Sequence, residues 1–417
     1  MNLNYELFNH IVEMFRGQLP VYVYDLDFIR EKYRKLKALF TGYTKDGGET
    51  HILYAMKANW SPSVIKALYE EGAGIDVVSP AEIFYANALG VPLERMLFTV
   101  NNISETDLHE ICLVGTPLFN LGSLDELELY GKNYPGSKVC IRFNPLLGIK
   151  AGAHKFVQTT GKEAKFGILL EHKEQVLEIV KKHNLKVIGL HQHTGSCIIE
   201  HEKFAAAIKG LLSVAEPQDF PNLEFVDFGG GLYVRYADND SDFDYQSFAN
   251  EVIGLLELTN QKYNKKLRLH FEPGKFLSAE CGYLITEVMS VKDNQGYKIA
   301  GTNSGMNHLM RPVLYDAWHE VFNLSNPQGQ KFEYDVVGNI CESGDFFAKR
   351  RLVPEIRKGD VLVLGNAGAY CETMSSFYNM RSLPAEVVVQ NANPILTRKR
   401  LSNTEFAKFM LGQYGNF

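Results

Sequence analysis

Several short motifs in this chain place a reactive side chain where an apolar run ends. Lys57 closes "YAMKAN", Arg142 and Asn144 lie in "KVCIRFNP", and His191, His193 and Ser196 lie in "GLHQHTGS". Gly229, Gly230 and Gly231 end "DFGGG", and Glu272 and Gly274 end "FEPG". An ordinary lysine snorkels its amine into water. A lysine against apolar walls has its amine pKa lowered and becomes a nucleophile suited to forming a Schiff base. A glycine run after a strand brings bare backbone N–H groups close to an anion such as phosphate. A Schiff-base lysine and a phosphate cradle in one site imply pyridoxal 5'-phosphate. Glu272 then has a role, since a carboxylate beside a pyridine nitrogen keeps it protonated and makes the ring an electron sink. His193 is placed to stack on such a ring, and His191 suits a supporting structural role.

These residues need a scaffold that gathers strand ends. Eight apolar runs alternate with helical patterns between residues 50 and 275: 51–57, 75–79, 96–100, 117–121, 138–145, 186–193, 223–231 and 267–274. The intervening segments "SPSVIKALYEEG" (61–72) and "PAEIFYANALG" (80–90) open on Ser-Pro or Pro and close on Gly, as helices do. Eight such units in this length predict a (β/α)8 TIM barrel, whose active site collects at the C-terminal ends of the strands. A doubly wound open sheet is the alternative on pattern alone. After residue 276 the rhythm becomes β-rich, in 283–291, 297–301, 360–365 and 385–390, which predicts a second, C-terminal β domain. The early run "LPVYVYD" (19–25) reads as a strand of that domain. The predicted divisions are 1–27, joining the β domain, 28–276 for the barrel and 277–417 for the β domain.

Composition narrows the class. The 417 residues exceed one ordinary core, and 45% hydrophobic with 22% charged residues is a soluble globular balance. A net charge of −6 without a Lys/Arg-rich block argues against nucleic acid as a partner. No apolar run reaches the roughly 20 residues of a membrane span. The opening "MNLNYELFNHIVEMF" includes acids and lacks a basic-then-apolar start, which predicts no signal peptide. Six scattered cysteines without a C-x-x-C pair predict neither a metal site nor a disulfide framework, and a reducing cytoplasm.

Together with "CESGD" (341–345) and "NAGAY" (366–370), these motifs resemble, in order and spacing, the fold-type III (alanine racemase-like) pyridoxal-phosphate decarboxylases, and most closely the diaminopimelate decarboxylase family. The resemblance runs from residue 20 to residue 389. It implies a lyase that converts meso-2,6-diaminopimelate to L-lysine and CO2, the last step of lysine biosynthesis. It further implies that Lys57 carries the cofactor, His193 stacks on its ring and Glu272 meets the ring nitrogen. Ser196, Gly230, Gly231, the backbone at Gly274 and Tyr370 would surround the phosphate. The family builds each site from a homodimer, so Cys341, Glu342 and Asp345 would enter from the partner chain. Glu342 suits the distal ammonium of a diamino acid, and Cys341 suits a proton donor to the carbanion.

Substrate choice centres on "RPVLY" (311–315). Arg311 offers a bidentate fork to a distal carboxylate and Tyr315 a further hydrogen bond, with Tyr370 also facing the substrate. Lys275 departs from the arginine that much of the family has after "EPG"; it supplies charge without a fork and reads as a substrate-carboxylate contact. The alternatives are a related decarboxylase of another carboxylate-bearing amino acid, such as carboxynorspermidine, or a non-catalytic regulatory relative. The latter would be expected to lose the lysine or the glycines, and this chain keeps both.

Overall fold

The computed structural model describes residues 3–146, 159–196, 198, 201–236 and 242–414. The described chain forms two compact units, one of residues 30–234 and 242–276, the other of residues 3–29, 235–236 and 277–414. Strand β1 (Val21–Asp25) precedes the first unit in the chain. The first unit's strands are β2 (Thr50–Ala55), β3 (Gly74–Val77), β4 (Met96–Thr99), β5 (Leu118–Leu121), β6 (Lys138–Asn144), β7 (Ile168–Leu169), β8 (Lys186–His191), β9 (Phe225–Asp227) and β10 (Arg268–Phe271).

Eight of these strands pair in parallel in the order β5-β4-β3-β2-β10-β9-β8-β6, and a β5–β6 pairing closes the ring. The short β7 adds a parallel pairing on β6. This is the expected (β/α)8 barrel. Leu53, Leu97, Cys140, Ile188 and Phe225 point into its lumen as one apolar layer.

The helices behave as the proline–glycine punctuation predicts. In Pro62–Glu70 the proline occupies the first turn, where its missing N–H is harmless. Val64, Ile65, Ala67 and Leu68 form the buried stripe; Leu68→Ala would cost about 2–5 kcal/mol. Gly72, at φ +98°, ends the helix, its N–H bonding the Tyr69 carbonyl while Ala73 bonds that of Leu68. Helix Pro80–Ala88 is capped by Ser79, whose Oγ accepts from the Glu82 N–H at 3.2 Å.

The strands are shorter than the apolar runs. The ladder stops at Ala55, His191, Asp227 and Phe271, so Lys57, His193, Gly229–Gly231 and Glu272 occupy the turns just beyond it, while Arg142, Asn144 and His191 lie on the strands themselves. Lys57 lies in the single 3-10 turn Met56–Ala58, free of a strand's period-two constraint.

In the second unit β1 is an interior strand. It runs antiparallel to β11 (Gly282–Asn294), with Val21 opposite Ile285, and parallel to β17 (Ala385–Gln390), with Val21 opposite Ala385. The sheet continues through β12 (Tyr297–Thr302), β14 (Lys331–Val337) and β15 (Phe346–Pro354) on one side and β18 (Asn393–Arg398) on the other. Strand β16 (Val361–Leu364) joins β11 to β13 (Val321–Asn323). Val21, Val23, Ile285, Val363 and Val387 build its core with Phe8 and Ile11 of helix Tyr5–Phe15.

Candidate active site

At the C-terminal mouth of the barrel, Lys57 Nζ meets Asp76 Oδ2 at 2.5 Å. Asp76 is fully buried at the inward end of β3, and its other oxygen accepts from Thr99 Oγ1 at 3.1 Å. Asn120 Nδ2 in turn donates to Thr99 at 3.3 Å. A polar chain thus runs across the ends of β3, β4 and β5. Burial raises the Asp76 pKa to about 6, with the Glu272 charge adding to the rise and Lys57 opposing it.

Glu272 follows β10. One carboxylate oxygen lies 3.1 Å from His191 Nε2; the other, Oε1, is buried without a protein partner. Burial pushes its pKa up, while Lys57 and Arg142 pull it down. Burial also holds His191 well below the usual histidine range, and Arg142 adds to that effect. Ligand atoms of His191, Asp227 and Glu272 all lie within 4.8 Å of one another. Asp227 Oδ1 accepts from the Gly229 N–H at 2.8 Å, so this acidic floor is tied to the glycine loop above it. Arg142 is buried with its guanidinium 4.7 Å from the Phe166 ring centre.

The glycine run is built for close approach. Gly229 and Gly231 have φ of +68° and +104°, a region that favours glycine. A Cβ on Gly230 would stand 2.5 Å from the Glu272 carbonyl oxygen, and one on Gly231 2.5 Å from that of Gly195. Glu272 N–H bonds the Gly229 carbonyl at 2.8 Å, and Ile198 N–H bonds that of Gly231 at 2.9 Å. The loops after β8, β9 and β10 are thereby laced together, with Ser196 next to Gly195 in this lacing. Gly274 packs equally close, since a Cβ there would lie 2.9 Å from that of Ala58. His193 Nδ1 accepts from the Gly230 N–H at 3.0 Å, which assigns the ring proton to Nε2. Burial keeps this imidazole neutral.

The sequence candidates divide between the units. Lys57, His191, His193, Ser196, Gly229–Gly231, Glu272 and Gly274 converge at the barrel mouth, with Lys275 opening helix Lys275–Ser278 directly after Gly274. Asn144 spends its side chain on loop bonds to Leu146, Gly161 and Phe166. Arg311, Tyr315, Cys341, Glu342 and Tyr370 belong to the second unit. There Arg311 is buried, donating to Tyr236 Oη at 2.9 Å with its guanidinium 4.9 Å from the same ring's centre. Cys341 and Glu342 are exposed on a short loop. Asp345 is buried and turned inward, accepting from the N–H groups of Met306 at 2.6 Å and Ile340 at 2.7 Å, so it shapes that loop. Tyr370 sits at φ +55°, an uncommon conformation for a tyrosine.

Sequence reasoning passed over Asp76, Thr99, Asn120, Asp227 and Tyr236. The available signal was a polar residue at the inward end of an apolar strand, as in "IDVV" and "LFTV".

The donor set fits pyridoxal phosphate: an amine, an unmatched buried carboxylate oxygen for a ring nitrogen, and a backbone cradle with no room for side chains. Residues 26–279 match the family described as "Pyridoxal-dependent decarboxylase, pyridoxal binding domain". The chain is 36% identical to the diaminopimelate decarboxylase of Methanothermobacter thermautotrophicus, over 94% of this chain and 91% of that one. It is 34% identical to that of Aquifex aeolicus, over 91% and 89%. The crystal structure of Helicobacter pylori diaminopimelate decarboxylase complexed with L-lysine superposes with a TM-score of 0.85 at 28% identity, covering 97% of this chain and 100% of that one. The chain therefore belongs to the pyridoxal-dependent decarboxylases and, within them, to the diaminopimelate decarboxylase family.

Proposed function

We propose that the protein removes one carboxylate of meso-2,6-diaminopimelate as CO2 and releases L-lysine. The observation that carries this reading is the convergence of Lys57 on Asp76 with a buried glutamate, Glu272, whose Oε1 has no protein partner. Bound there, pyridoxal 5'-phosphate supplies an electron sink for the pair left when the carbon–carbon bond to the departing carboxylate breaks. Lys57 Nζ would hold it covalently, and Asp76 is set to take or return a proton at Nζ. Glu272 offers Oε1 to the ring nitrogen, while His191 fixes the other oxygen. His193, neutral and pinned by Gly230, presents a ring face. Gly230, Gly231, Gly274, Ser196 and Tyr370 would receive the phosphate.

Arg311, Tyr315 and Lys275 would recognise the carboxylate that stays. Arg311 is held ready by Tyr236, which limits the rotamer freedom lost on binding. We assign Cys341 and Glu342 to the site of a second copy of the chain, Cys341 to return a proton to the substrate carbon and Glu342 to hold the distal ammonium. Their exposure in the single chain supports this homodimeric arrangement. No described helix is long and apolar enough to cross a membrane, and none of the five described cysteines is in a disulfide. Both fit the cytoplasmic setting proposed here.

Incubation with meso-diaminopimelate, lysine, ornithine and carboxynorspermidine in turn, with CO2 release measured, tests the assignment. Release from diaminopimelate should dominate; faster release from any of the others would overturn it.

A further inference from the structure

The barrel has a second chamber, at the end where its strands begin. Thr50 and His51 of β2, Leu97 of β4, Lys138 of β6 and Arg268 and His270 of β10 line a cavity of about 680 Å³, within the size range of small-molecule sites. The N-terminal face of such a barrel ordinarily serves stability, which calls for packing residues. This one holds polar groups without partners.

His270 is buried, and neither of its ring nitrogens has a hydrogen-bond partner. The nearest carboxylate oxygen, on Asp227, is 3.9 Å from Nδ1, beyond hydrogen-bond reach. Thr50 Oγ1 and Arg268 Nε are likewise buried and unmatched. A polar group buried without a partner is a cost to folding that a bound molecule relieves.

The chamber has a flat wall. The His270 ring stacks between Phe225, at 4.2 Å and 9°, and His51, at 4.9 Å and 5°. Leu53, Leu97, Leu118 and Ile188 continue it as an apolar surface. The charge is equally specific. Lys37, Arg95, Lys138 and Arg268 line the chamber against a single lining carboxylate, Glu94, in a chain of net charge −6. Glu224 bridges Lys138 at 3.0 Å and Arg268 at 2.7 Å, orienting both and leaving Arg268 Nε open. With Glu94 and Glu224 counted against the four cations, an excess of positive charge remains, and a cleft with low-dielectric walls and such an excess concentrates anions.

We infer that this chamber binds a small organic anion with a flat, unsaturated body. Its carboxylate or phosphate meets Arg268 and Lys138, its ring lies along the apolar wall, and a polar ring substituent pairs with His270. The inference is independent of the decarboxylation reading, because none of these residues belongs to the catalytic mouth.

Isothermal titration calorimetry on the cofactor-loaded enzyme, whose own phosphate cradle is filled, tests it. The probes are 1-naphthoate and adenosine 5'-monophosphate, with inorganic phosphate and 1-naphthylmethanol as the anion and the ring alone. At least one aromatic anion should bind with a Kd of about 1 mM or tighter, and both partial probes at least about ten-fold more weakly. Which anion binds separates a carboxylate from a phosphate ligand. Arg268→Gln and His270→Phe, the latter keeping a ring in the stack, should each weaken binding about ten-fold or more. Lys138→Gln, at a largely exposed side chain, should weaken it several-fold. Failure of both aromatic anions to bind, or binding unchanged in all three variants, would overturn the inference.

Discussion

Asp76→Asn separates the cost of burying a carboxylate from its use. Asp76 is fully buried, and its pKa in the folded barrel is raised from 3.8 to about 6. A raised carboxylate pKa means that the folded state holds the proton more tightly than the unfolded chain. Its contribution to stability is therefore full below pH 3.8 and is lost as pH rises through 6. At about 1.36 kcal/mol per pH unit, this rise amounts to about 3 kcal/mol, of which about 1 kcal/mol develops between pH 5 and pH 7. The asparagine variant does not ionise, so it escapes this loss. Cofactor-free wild type and variant would be compared by urea unfolding at several pH values in a Trp318→Phe background. That leaves Trp60, in the barrel unit, as the sole tryptophan reporter. The stability difference should move in the variant's favour by about 1 kcal/mol from pH 5 to pH 7. A difference that is flat with pH, or that moves the other way, would refute the assignment of Asp76 as a strained, partly protonated acid. The variant should also slow catalysis, since Lys57 loses the group that exchanges its proton.

The purified enzyme should be yellow, and Lys57→Ala should abolish the Schiff-base absorbance even with excess pyridoxal phosphate; a coloured variant would remove Lys57 from its role. Glu272→Gln replaces a charge-assisted hydrogen bond of about 1.5–3 kcal/mol by a neutral one of about 0.5–1.5 kcal/mol, so kcat should fall about ten-fold while the cofactor stays bound. Near-normal turnover would rule out its part in the electron sink. Arg311→Ala should raise KM for diaminopimelate about ten-fold or more with little effect on cofactor affinity. Tyr236→Phe, which removes the hydroxyl that steadies Arg311, should raise KM by a smaller factor; unchanged KM in both would take Arg311 out of the substrate site.

The features legible in the chain are those written in local pattern. The eight barrel strands announce themselves as apolar runs, and Pro62, Pro80 and Gly72 mark helix ends where the structure has them, whereas the Ser79 cap is hidden at the end of a strand run. Lys57, His193, Glu272 and the glycines stand out because each interrupts an apolar run with a different chemistry. Asp76, Thr99 and Asn120 do not, because their partnership depends on inter-strand register. Ala55 lies opposite Asp76, and Thr99 opposite Asn120, across sequence separations that no local pattern encodes. Strands β13, β14, β15 and β18 were not singled out either. β18 is largely exposed along its length, so it lacks the apolar alternation that reveals a half-buried strand. Tyr236 reaches the second unit from a stretch otherwise surrounded by barrel sequence, an excursion that only the folded contacts reveal.

The interior place of β1 has a consequence for how this protein is made. Its parallel neighbour β17 leaves the ribosome about 360 residues later, which at roughly 5–20 residues per second is a wait of some 20–70 s. All barrel strands are synthesised before then, so the barrel can close while "VYVYD" still lacks one flank. During that interval the nascent chain displays an apolar strand with unsatisfied edges, the kind of segment that chaperones bind and that pairs wrongly with neighbours. A ribosome stalled far enough beyond residue 276 for β10 to have cleared its exit tunnel, but before β17 is made, should therefore present a closed barrel and a protease-sensitive β1.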